Sequence, residues 1–434
     1  MERSVGEDSV RGTGRGGAGW LAERAPLLWS LLTTRRRWSL VFIAFLFVVT
    51  AYSRYVILLA ESDGLFTTLG PMVGGDFVVF RTAAQVIGTP AMTAIYKMGN
   101  LEAMLRAAFP SHAPMLVGWQ YPPSMYFVVA PLAWVPFLVG FALWVAVPGA
   151  AFAATLRAHW HDRTALFFAL ASPAVMQSVI TDQTGFLTGT LLALAALHAD
   201  SRPLLAGAAA GLLTVKPQFG LLLPIAFVAA GSWRTIASAT ATTAALVGAS
   251  LLAFGTAPWG AFVEAVTTHG ARLTAASGFP FEKLMTPYGA ARLLGVSSGV
   301  AMTSQVIVTL ALAVVVFAVW RRVRSRERRF AVLATAAMLA TPYGFYYEMA
   351  LLVPPMLAVA RDADRHGWLR GEALSLMVLW MASLLPPGAA GVPAVPTSFL
   401  VALGAFLIAA RRARAPLAAA SAAGTPPDFI PLTT

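Results

Sequence analysis

The sequence predicts an all-α polytopic membrane protein with about 12 transmembrane helices. Of its 434 residues, 58% are hydrophobic and only 12% are charged, and the mean hydropathy is +0.71, above what a soluble globular domain needs. Apolar runs of helix-spanning length recur between short breaks rich in Arg or in Pro and Gly. No long polar stretch interrupts them, so residues 35–414 are expected to form one integral domain between disordered cytoplasmic tails at 1–34 and 415–434.

The positive charge of the chain indicates topology. The net charge is +12, but most arginines lie in short clusters beside apolar runs, which is typical of cytoplasmic loops and not of a nucleic-acid surface. The chain has no cysteine, which excludes disulfides and thiolate metal sites, and its six histidines form no metal-binding pattern. We therefore expect no nucleic-acid partner and no metal cofactor.

Arginine clusters orient the first helix. Arg35, Arg36 and Arg37 precede the apolar run at 38–60, so the N-terminus is predicted to be cytoplasmic and Asp76 to lie outside. If later Arg-bearing breaks are also cytoplasmic, each neighbouring pair must enclose an even number of spans. Those breaks lie at 157–163, 198–202, 232–234, 321–329, 361–370 and 411–414.

One apolar run breaks this rule. Three runs lie between Arg37 and Arg157, at 38–60, 119–137 and 138–156, so one of them must not cross. The run at 119–137 contains four prolines with Trp and Tyr, which predicts that it lies along or dips into the outer leaflet. Both termini are then cytoplasmic. The remaining predicted spans are 164–180, 184–199, 203–216, 218–231, 235–254, 302–320, 330–341, 347–360, 372–386 and 397–410.

The predicted topology places the unusual polar segments on the outer side. Convergence of widely separated segments is how an active site is assembled. The candidate site residues are Asp76, Arg81, Tyr121, Asp182, Gln183, Lys216, Gln218, Tyr343, Tyr347 and Glu348. The 255–300 loop adds His269, Arg272, Glu282, Lys283 and Arg292. Most of these loop residues are expected to be solvated, with one of the cations a candidate phosphate contact.

Asp76 allows two interpretations. The stretch GGDFVVFRTAAQVI fits an amphipathic helix with Asp76 as its N-cap. Alternatively, Asp76 is a general base in a partly desolvated cleft, where nearby phenylalanines and a low dielectric constant tune its basicity. A capping aspartate with one free oxygen satisfies both interpretations.

The other polar segments are similarly open. Lys216 ends an apolar helix, so its cation must snorkel to the outer interface or meet an anion, and the positive-inside rule favours a phosphate. Asp182 and Gln183 either cap a helix or form a hydrogen-bonding pair for a polyol. In TPYGFYYE, an interfacial aromatic belt explains the tyrosines as well as a substrate rim does, but it does not explain Glu348.

In this order, these residues resemble glycosyltransferase family 87, whose members depend on polyprenyl-phosphate sugars and include mannosyltransferases. The resemblance implies a GT-C fold, with juxtamembrane helices in the first external loop and an acidic catalytic base there, which maps onto Asp76. That loop has no DxD motif, so no metal requirement follows from it. The matching stretches are GGDFVVFRTAAQVI…IYK (74–97), WQYPPSMYFVVAPLAWVPF (119–137), DQTGFLTGTLLALA (182–195), RPLLAGAAAGLLTVKPQFGLLLP (202–224) and TPYGFYYEMALLVP (341–354).

The resemblance implies inverting transfer of a hexose, with mannose favoured, from a polyprenyl-phosphate donor to a glycolipid or glycan acceptor. The expected location is the outer side of a bacterial plasma membrane, among membrane lipids. The donor phosphate is expected near Lys216, and the other candidate side chains are assigned to donor phosphate and sugar. A transporter or flippase of a lipid-linked sugar is the alternative, but it would usually show an internal repeat and charged or broken segments near mid-membrane. A scaffold would leave the one-sided polar cluster unexplained.

Overall fold

The computed structural model describes residues 37–62, 65, 73–97, 99–108, 118–269, 279–385 and 395–416. The predicted N-terminal tail, Arg272 and residues 417–434 of the predicted C-terminal tail lie outside these ranges. Within them the chain is helical and forms no β-strand beyond an isolated bridge between Leu284 and Phe345. The all-α prediction is therefore confirmed for the part of the chain that the structure describes.

The α-helices are labelled in chain order: α1 Arg37–Ala60, α2 Phe77–Gln85, α3 Ala91–Ala94, α4 Asn100–Ala108, α5 Met125–Val129, α6 Phe137–His159, α7 Arg163–Leu170, α8 Pro173–Ile180, α9 Gly185–Leu197, α10 Pro203–Leu212, α11 Leu223–Ala230, α12 Trp233–Phe254, α13 Ala257–Glu264, α14 Pro287–Leu293, α15 Ser298–Arg322, α16 Arg326–Leu339, α17 Val353–His366, α18 Glu372–Ala382 and α19 Thr397–Arg414. Shorter 3-10 segments include Ala130–Ala133, Leu213–Val215, Pro217–Gly220, Phe281–Lys283 and Tyr346–Leu352.

Four of the described helices are long and apolar enough to cross a membrane, namely residues 43–60 of α1, α6, α12 and α15. The pair α7 and α8, bent by 44° at its junction, passes the same test as a fifth span. The predicted spans at 184–199, 203–216, 218–231 and 372–386 contain shorter apolar helices, which at about 1.5 Å per residue do not reach the ~30 Å of a hydrocarbon core. The protein thus has the helices of an integral membrane protein, but a count of twelve spans is not confirmed.

Proline explains several of these short helices. Pro173 begins α8 directly after Ser172, whose Oγ accepts a hydrogen bond from the Val175 N–H at 3.3 Å. Pro203 begins α10, and Pro217 begins the 3-10 segment that follows Lys216. Proline lacks an N–H and fixes its own φ, so it starts a helix but cannot continue the one before it.

Helix α16 lies at the centre of the bundle. Every residue from Phe330 to Leu339 is buried, and the helix packs against α9, α15, α17 and α19. A helix that is apolar on all sides belongs in a protein interior. The chain that leaves its C-terminal end therefore carries Glu348, in the 3-10 segment Tyr346–Leu352, into the same interior.

The segment between α1 and α6 forms a second layer. Helices α2 to α5 share an apolar cluster that includes Phe77, Phe80, Trp119, Tyr126 and Trp144. The rings of Phe80 and Trp144 lie 4.5 Å apart and pack α2 against α6. Helices expected in the first external loop are thus present, while their place relative to a membrane stays a prediction.

The proline-rich segment 119–137 forms no long helix. It contains the five-residue α5 and a 3-10 turn before α6 begins at Phe137. This agrees with the prediction that the segment does not cross, and its position in the outer leaflet stays a prediction. The guanidinium of Arg81 donates to the carbonyls of Leu132 and Val135, so Arg81 holds this segment against α2.

Buried charges join the N-terminal end of α16 to the C-terminal ends of α17 and α19. Asp362 Oδ2 accepts from Arg328 Nε at 2.7 Å and from Arg412 Nε at 2.6 Å. Arg412 also donates to Glu372 at 3.1 Å, and all four side chains are buried. Burial raises the pKa of Asp362, but the hydrogen bonds and charges of Arg412 and Arg328 outweigh it and hold the pKa below its ordinary value.

Candidate active site

Asp76 lies immediately before the first turn of α2. Gly74 has a φ of +68°, and a Cβ added there would lie 3.2 Å from the Phe141 ring, so the turn needs glycine. The Asp76 side chain occupies the N-cap position but makes no capping hydrogen bond. Its Oδ2 instead accepts from Gln183 Nε2 at 2.7 Å. The capping interpretation is therefore wrong for the side chain, which is turned toward the loop before α9.

Gln183 connects Asp76 to a third segment. Tyr121 Oη donates to Gln183 Oε1 at 3.3 Å, so the amide oxygen faces Tyr121 and the amide nitrogen faces Asp76. Tyr96 Oη donates to the Tyr121 carbonyl at 2.9 Å and anchors it to the layer of short helices. Neither end of the Gln183 amide is then free to rotate without losing a hydrogen bond.

Lys216 and Glu348 form a buried ion pair. The two residues are 6% and 1% exposed, and Lys216 Nζ contacts Glu348 Oε1. Nζ also donates to Thr184 Oγ1 at 2.9 Å, and Thr188 Oγ1 donates to Glu348 Oε2 at 3.2 Å. The snorkelling interpretation of Lys216 is wrong, because its ammonium lies in the interior and its protein partner is a carboxylate.

Aromatic rings surround the Lys216 ammonium. Nζ lies 5.4 Å from the ring centre of Tyr121, 5.8 Å from that of Phe219 and 5.7 Å from that of Tyr347. Rings at this distance attract a cation electrostatically and also exclude water. The Lys216 charge therefore has a low-dielectric surrounding, which strengthens its ion pair with Glu348.

Asp182 is the most unusual residue near Asp76. Among the described residues, Asp182 is the one residue other than glycine that has a positive φ, at +54°. Its side chain is buried, with 1% of the residue exposed. Neither of its carboxyl oxygens has a hydrogen-bond partner in the described part of the chain. Burial, and then the charge of Asp76, raises the pKa of Asp182 to about 9. The side chain is therefore a neutral carboxylic acid at neutral pH and caps no helix.

The Asp76 carboxylate has the electrostatics of a general base. Burial raises its pKa above the ordinary value, while the Gln183 hydrogen bond and the charges of Lys283 and Lys216 act in the opposite direction. A carboxylate with a raised pKa is a stronger base than one with the ordinary value. The same interactions show that Lys283 and Lys216 lie near Asp76.

Most of the sequence-predicted site residues meet here, but Arg81 and Gln218 do not. The structure brings together Asp76, Tyr121, Asp182, Gln183, Lys216, Tyr347 and Glu348. Arg81 is committed to backbone carbonyls, as described above. Gln218 is half-buried and makes no hydrogen bond with these residues in the described ranges, and Tyr343 contributes its backbone N–H to Thr341 Oγ1 at 3.1 Å.

In the described part of the 255–300 loop, Lys283 is the cation whose charge acts on Asp76. Arg292 stacks over the Phe281 ring at 4.8 Å and donates to the Val296 carbonyl, so it serves the local fold. The sequence offered no spacing that singled out Lys283 from its neighbours.

Three further residues of the site were not predicted. Thr184 and Thr188 hold Glu348, and they lie four residues apart, a spacing that places both on one face of α9. A Cβ on Gly185 would lie 2.8 Å from Ser178 Oγ, so this glycine allows α9 to approach the site closely. The stretch TGFLT at 184–188 could have predicted this arrangement, because it places two hydroxyl groups and a glycine on one side of a helix.

The assembled groups suit transfer onto a hydroxyl nucleophile. They provide a carboxylate with a raised pKa, a buried cation and a second, buried carboxyl group. Among the residues that the structure describes, no three His, Asp or Glu side chains are grouped so that they could hold a metal ion.

Comparison with known proteins identifies the family of this chain. No curated protein and no solved structure matches it. The model of glycosyltransferase family 87 matches residues 119–342, more than half of the chain. Tyr121, Asp182, Gln183 and Lys216 lie inside the matched range, whereas Asp76 and Glu348 lie on either side of it. The chain is a glycosyltransferase and belongs to glycosyltransferase family 87.

Proposed function

We propose that this glycosyltransferase moves a hexose, with mannose as the favoured sugar, from a polyprenyl-phosphate donor to a hydroxyl group of a glycolipid or glycan acceptor. The reaction takes place at the outer face of a bacterial plasma membrane and inverts the anomeric configuration. The observation that carries the proposal is the Asp76 carboxylate, which is held by Gln183 through one oxygen and has a pKa raised by burial.

Asp76 acts as the general base. The hydrogen bond from Gln183 fixes the plane of the Asp76 carboxylate and uses one of its two oxygens, Oδ2. Within the described residues, the Asp76 side chain accepts this hydrogen bond and the structure gives none to Oδ1. The other oxygen takes the proton of an acceptor hydroxyl as the hydroxyl oxygen attacks the anomeric carbon. The attack is in line with the departing phosphate, so inversion follows.

Lys216 binds the donor phosphate. Its ammonium has three N–H donors, and its hydrogen-bond partners are Glu348, Thr184 and the Tyr121 hydroxyl. A phosphate oxygen would take the place of one of the two uncharged partners. Glu348 has both oxygens engaged, one by Lys216 and one by Thr188, and its role is to hold Lys216 in place. Negative charge that develops on the leaving phosphate is then stabilised in a dry aromatic surrounding.

A phosphate leaving group requires little protonation, so the proposal needs one base and one cation. Neither a second acid catalyst nor a metal ion is part of it. Lys283, which lies near Asp76, is a second cation that the donor phosphate can use.

Sugar transfer by the purified protein in lipid nanodiscs tests this proposal. The donors are polyprenyl-phosphate mannose, the same lipid carrying glucose, and a nucleotide-activated mannose, with a membrane-lipid extract as acceptor and with chelator present. We expect transfer from the polyprenyl-phosphate sugar with inverted configuration in the product. Transfer from the nucleotide sugar alone would contradict the donor class. Movement of the intact lipid-linked sugar across proteoliposomes without covalent transfer would favour a transporter.

A further inference from the structure

Asp182 combines backbone strain with an unsatisfied buried carboxyl group. A φ of +54° places this residue in the left-handed region, which residues other than glycine occupy at a cost that is smaller for aspartate and asparagine than for most side chains. A carboxyl group that is 1% exposed with neither oxygen hydrogen-bonded is also costly. Two local costs at one residue indicate a functional group whose partner arrives with a ligand.

The surroundings of Asp182 keep it from charging. The charge of Asp76, in the loop before α2, acts on Asp182, and Tyr55 of α1 is close enough to interact electrostatically with Asp182. The charges of Lys216 and Lys283 lower the pKa of Asp76, and Lys216 is itself paired with Glu348. The pKa of Asp182 is changed instead by its burial and by the charge of Asp76. Both raise the pKa of Asp182, which reaches about 9.

The backbone around Asp182 is held firmly. Trp144 Nε1 donates to the Asp182 carbonyl at 2.8 Å, and the next residue, Gln183, donates to Asp76. The strained conformation is therefore imposed by α6 on one side and by the proposed base on the other. This arrangement fixes the backbone of Asp182 in the loop whose Gln183 binds Asp76.

We infer that Asp182 works as an uncharged carboxylic acid that hydrogen-bonds a hydroxyl group of the bound sugar or acceptor beside Asp76. The inference rests on the proposed function and extends it. A carboxylic acid both donates and accepts a hydrogen bond, as a hydroxyl does, so the two groups satisfy each other. A neutral Asp182 also adds no negative charge where the phosphate departs, and it adds none beside the Asp76 carboxylate.

Two substitutions separate this role from that of an ionised ligand. Asp182→Asn keeps an uncharged donor and acceptor of the same shape, and asparagine tolerates a positive φ. Asp182→Gly accepts the backbone conformation and removes the carboxyl group. Glu264→Gln, at an exposed carboxylate of α13, is the matched control.

The measurement is the rate of sugar transfer from about pH 6 to about pH 10.5, on both sides of the Asp182 pKa. We expect wild type to lose transfer as pH rises through about 9, because Asp182 ionises there. Asp182→Asn should keep transfer within about threefold of wild type near neutral pH and lack this alkaline fall. Asp182→Gly should lose about tenfold or more, since a hydroxyl partner is gone. A raised KM for donor or for acceptor in Asp182→Gly tells which one supplies the hydroxyl.

Three results would overturn the inference. They are an Asp182→Asn protein that folds but is inactive near neutral pH, an alkaline fall that survives the substitution, and full transfer by Asp182→Gly. Infrared spectroscopy gives a readout that does not depend on activity, since wild type should show the carbonyl band of a protonated carboxyl that Asp182→Asn lacks and Glu264→Gln retains. A wild type that shows this band but transfers no sugar from any polyprenyl-phosphate donor would defeat the proposed function and leave the protonation of Asp182 standing.

Discussion

The side-chain amide of Gln183 donates a 2.7 Å hydrogen bond to Asp76 Oδ2. The two residues are separated by 107 positions in the chain, and the bond joins the loop before α2 to the loop before α9. Tyr121 holds the other end of the amide. The orientation of the proposed base is therefore set by a residue of the family-matched region, although Asp76 itself lies before that region.

Gln183→Leu should move the acidic limb of the pH profile of transfer to higher pH. The Gln183 hydrogen bond lowers the pKa of Asp76, so its loss raises that pKa, and the base becomes ionised only at a higher pH. Transfer near neutral pH should fall by about tenfold or more. Gln177→Leu, at a half-buried glutamine of α8, should leave the profile unchanged. An unmoved acidic limb in Gln183→Leu would show that this bond does not tune the base.

Lys216→Met should destabilise the protein and abolish transfer. Removing one partner of a buried ion pair leaves Glu348 charged and unpaired, at a cost of about 3–5 kcal/mol. The double variant Lys216→Met with Glu348→Gln has no unpaired charge, so its melting temperature in detergent should recover while transfer stays absent. Recovery of transfer in the double variant would argue against Lys216 as the phosphate ligand.

Gly185→Ala should reduce both stability and transfer. The new Cβ would lie 2.8 Å from Ser178 Oγ and 3.3 Å from the Tyr347 carbonyl. Either Ser178 Oγ gives up its hydrogen bond to that carbonyl or α9 shifts away from the site. Overpacking of this kind costs about 1–3 kcal/mol, and small displacements of catalytic groups reduce rates by up to about 100-fold. Gly260→Ala, whose Cβ would meet nothing within 4 Å, is the control for a glycine in a helix. Equal melting temperatures and rates for the two variants would contradict the close approach.

The charge cluster around Asp362 should make the protein sensitive to acid. The pKa of Asp362 is held below its ordinary value, so its contribution to stability is complete above the unfolded-state pKa and is lost as pH falls through the folded-state pKa. Asp362→Asn removes the charge that pairs with Arg328 and Arg412, and it should lower the melting temperature at neutral pH. The difference from wild type should shrink as pH falls below the unfolded-state pKa of about 3.9. Melting curves of the two proteins against pH provide the test. Parallel curves across the range would exclude this role for Asp362.

The sequence predicted the elements better than their contacts. The GGD turn and its apolar periodicity predicted a helix after Asp76, which the structure shows as α2. Hydropathy overestimated helix length, because a sum over residue types does not register the breaks before Pro173 and Pro217. The pairing of Lys216 with Glu348 joins residues 132 positions apart, and no local pattern encodes it.

Transfer by Asp76→Asn tests the central claim most directly. Asparagine keeps the shape and can still accept a hydrogen bond from Gln183, but it cannot take a proton, so transfer of sugar from the polyprenyl-phosphate donor should fall by about 10²–10⁴-fold. The melting temperature should stay close to that of wild type, and Glu264→Gln should transfer at the wild-type rate. An Asp76→Asn protein that transfers sugar within about threefold of wild type across the pH range would contradict the assignment of Asp76 as the general base.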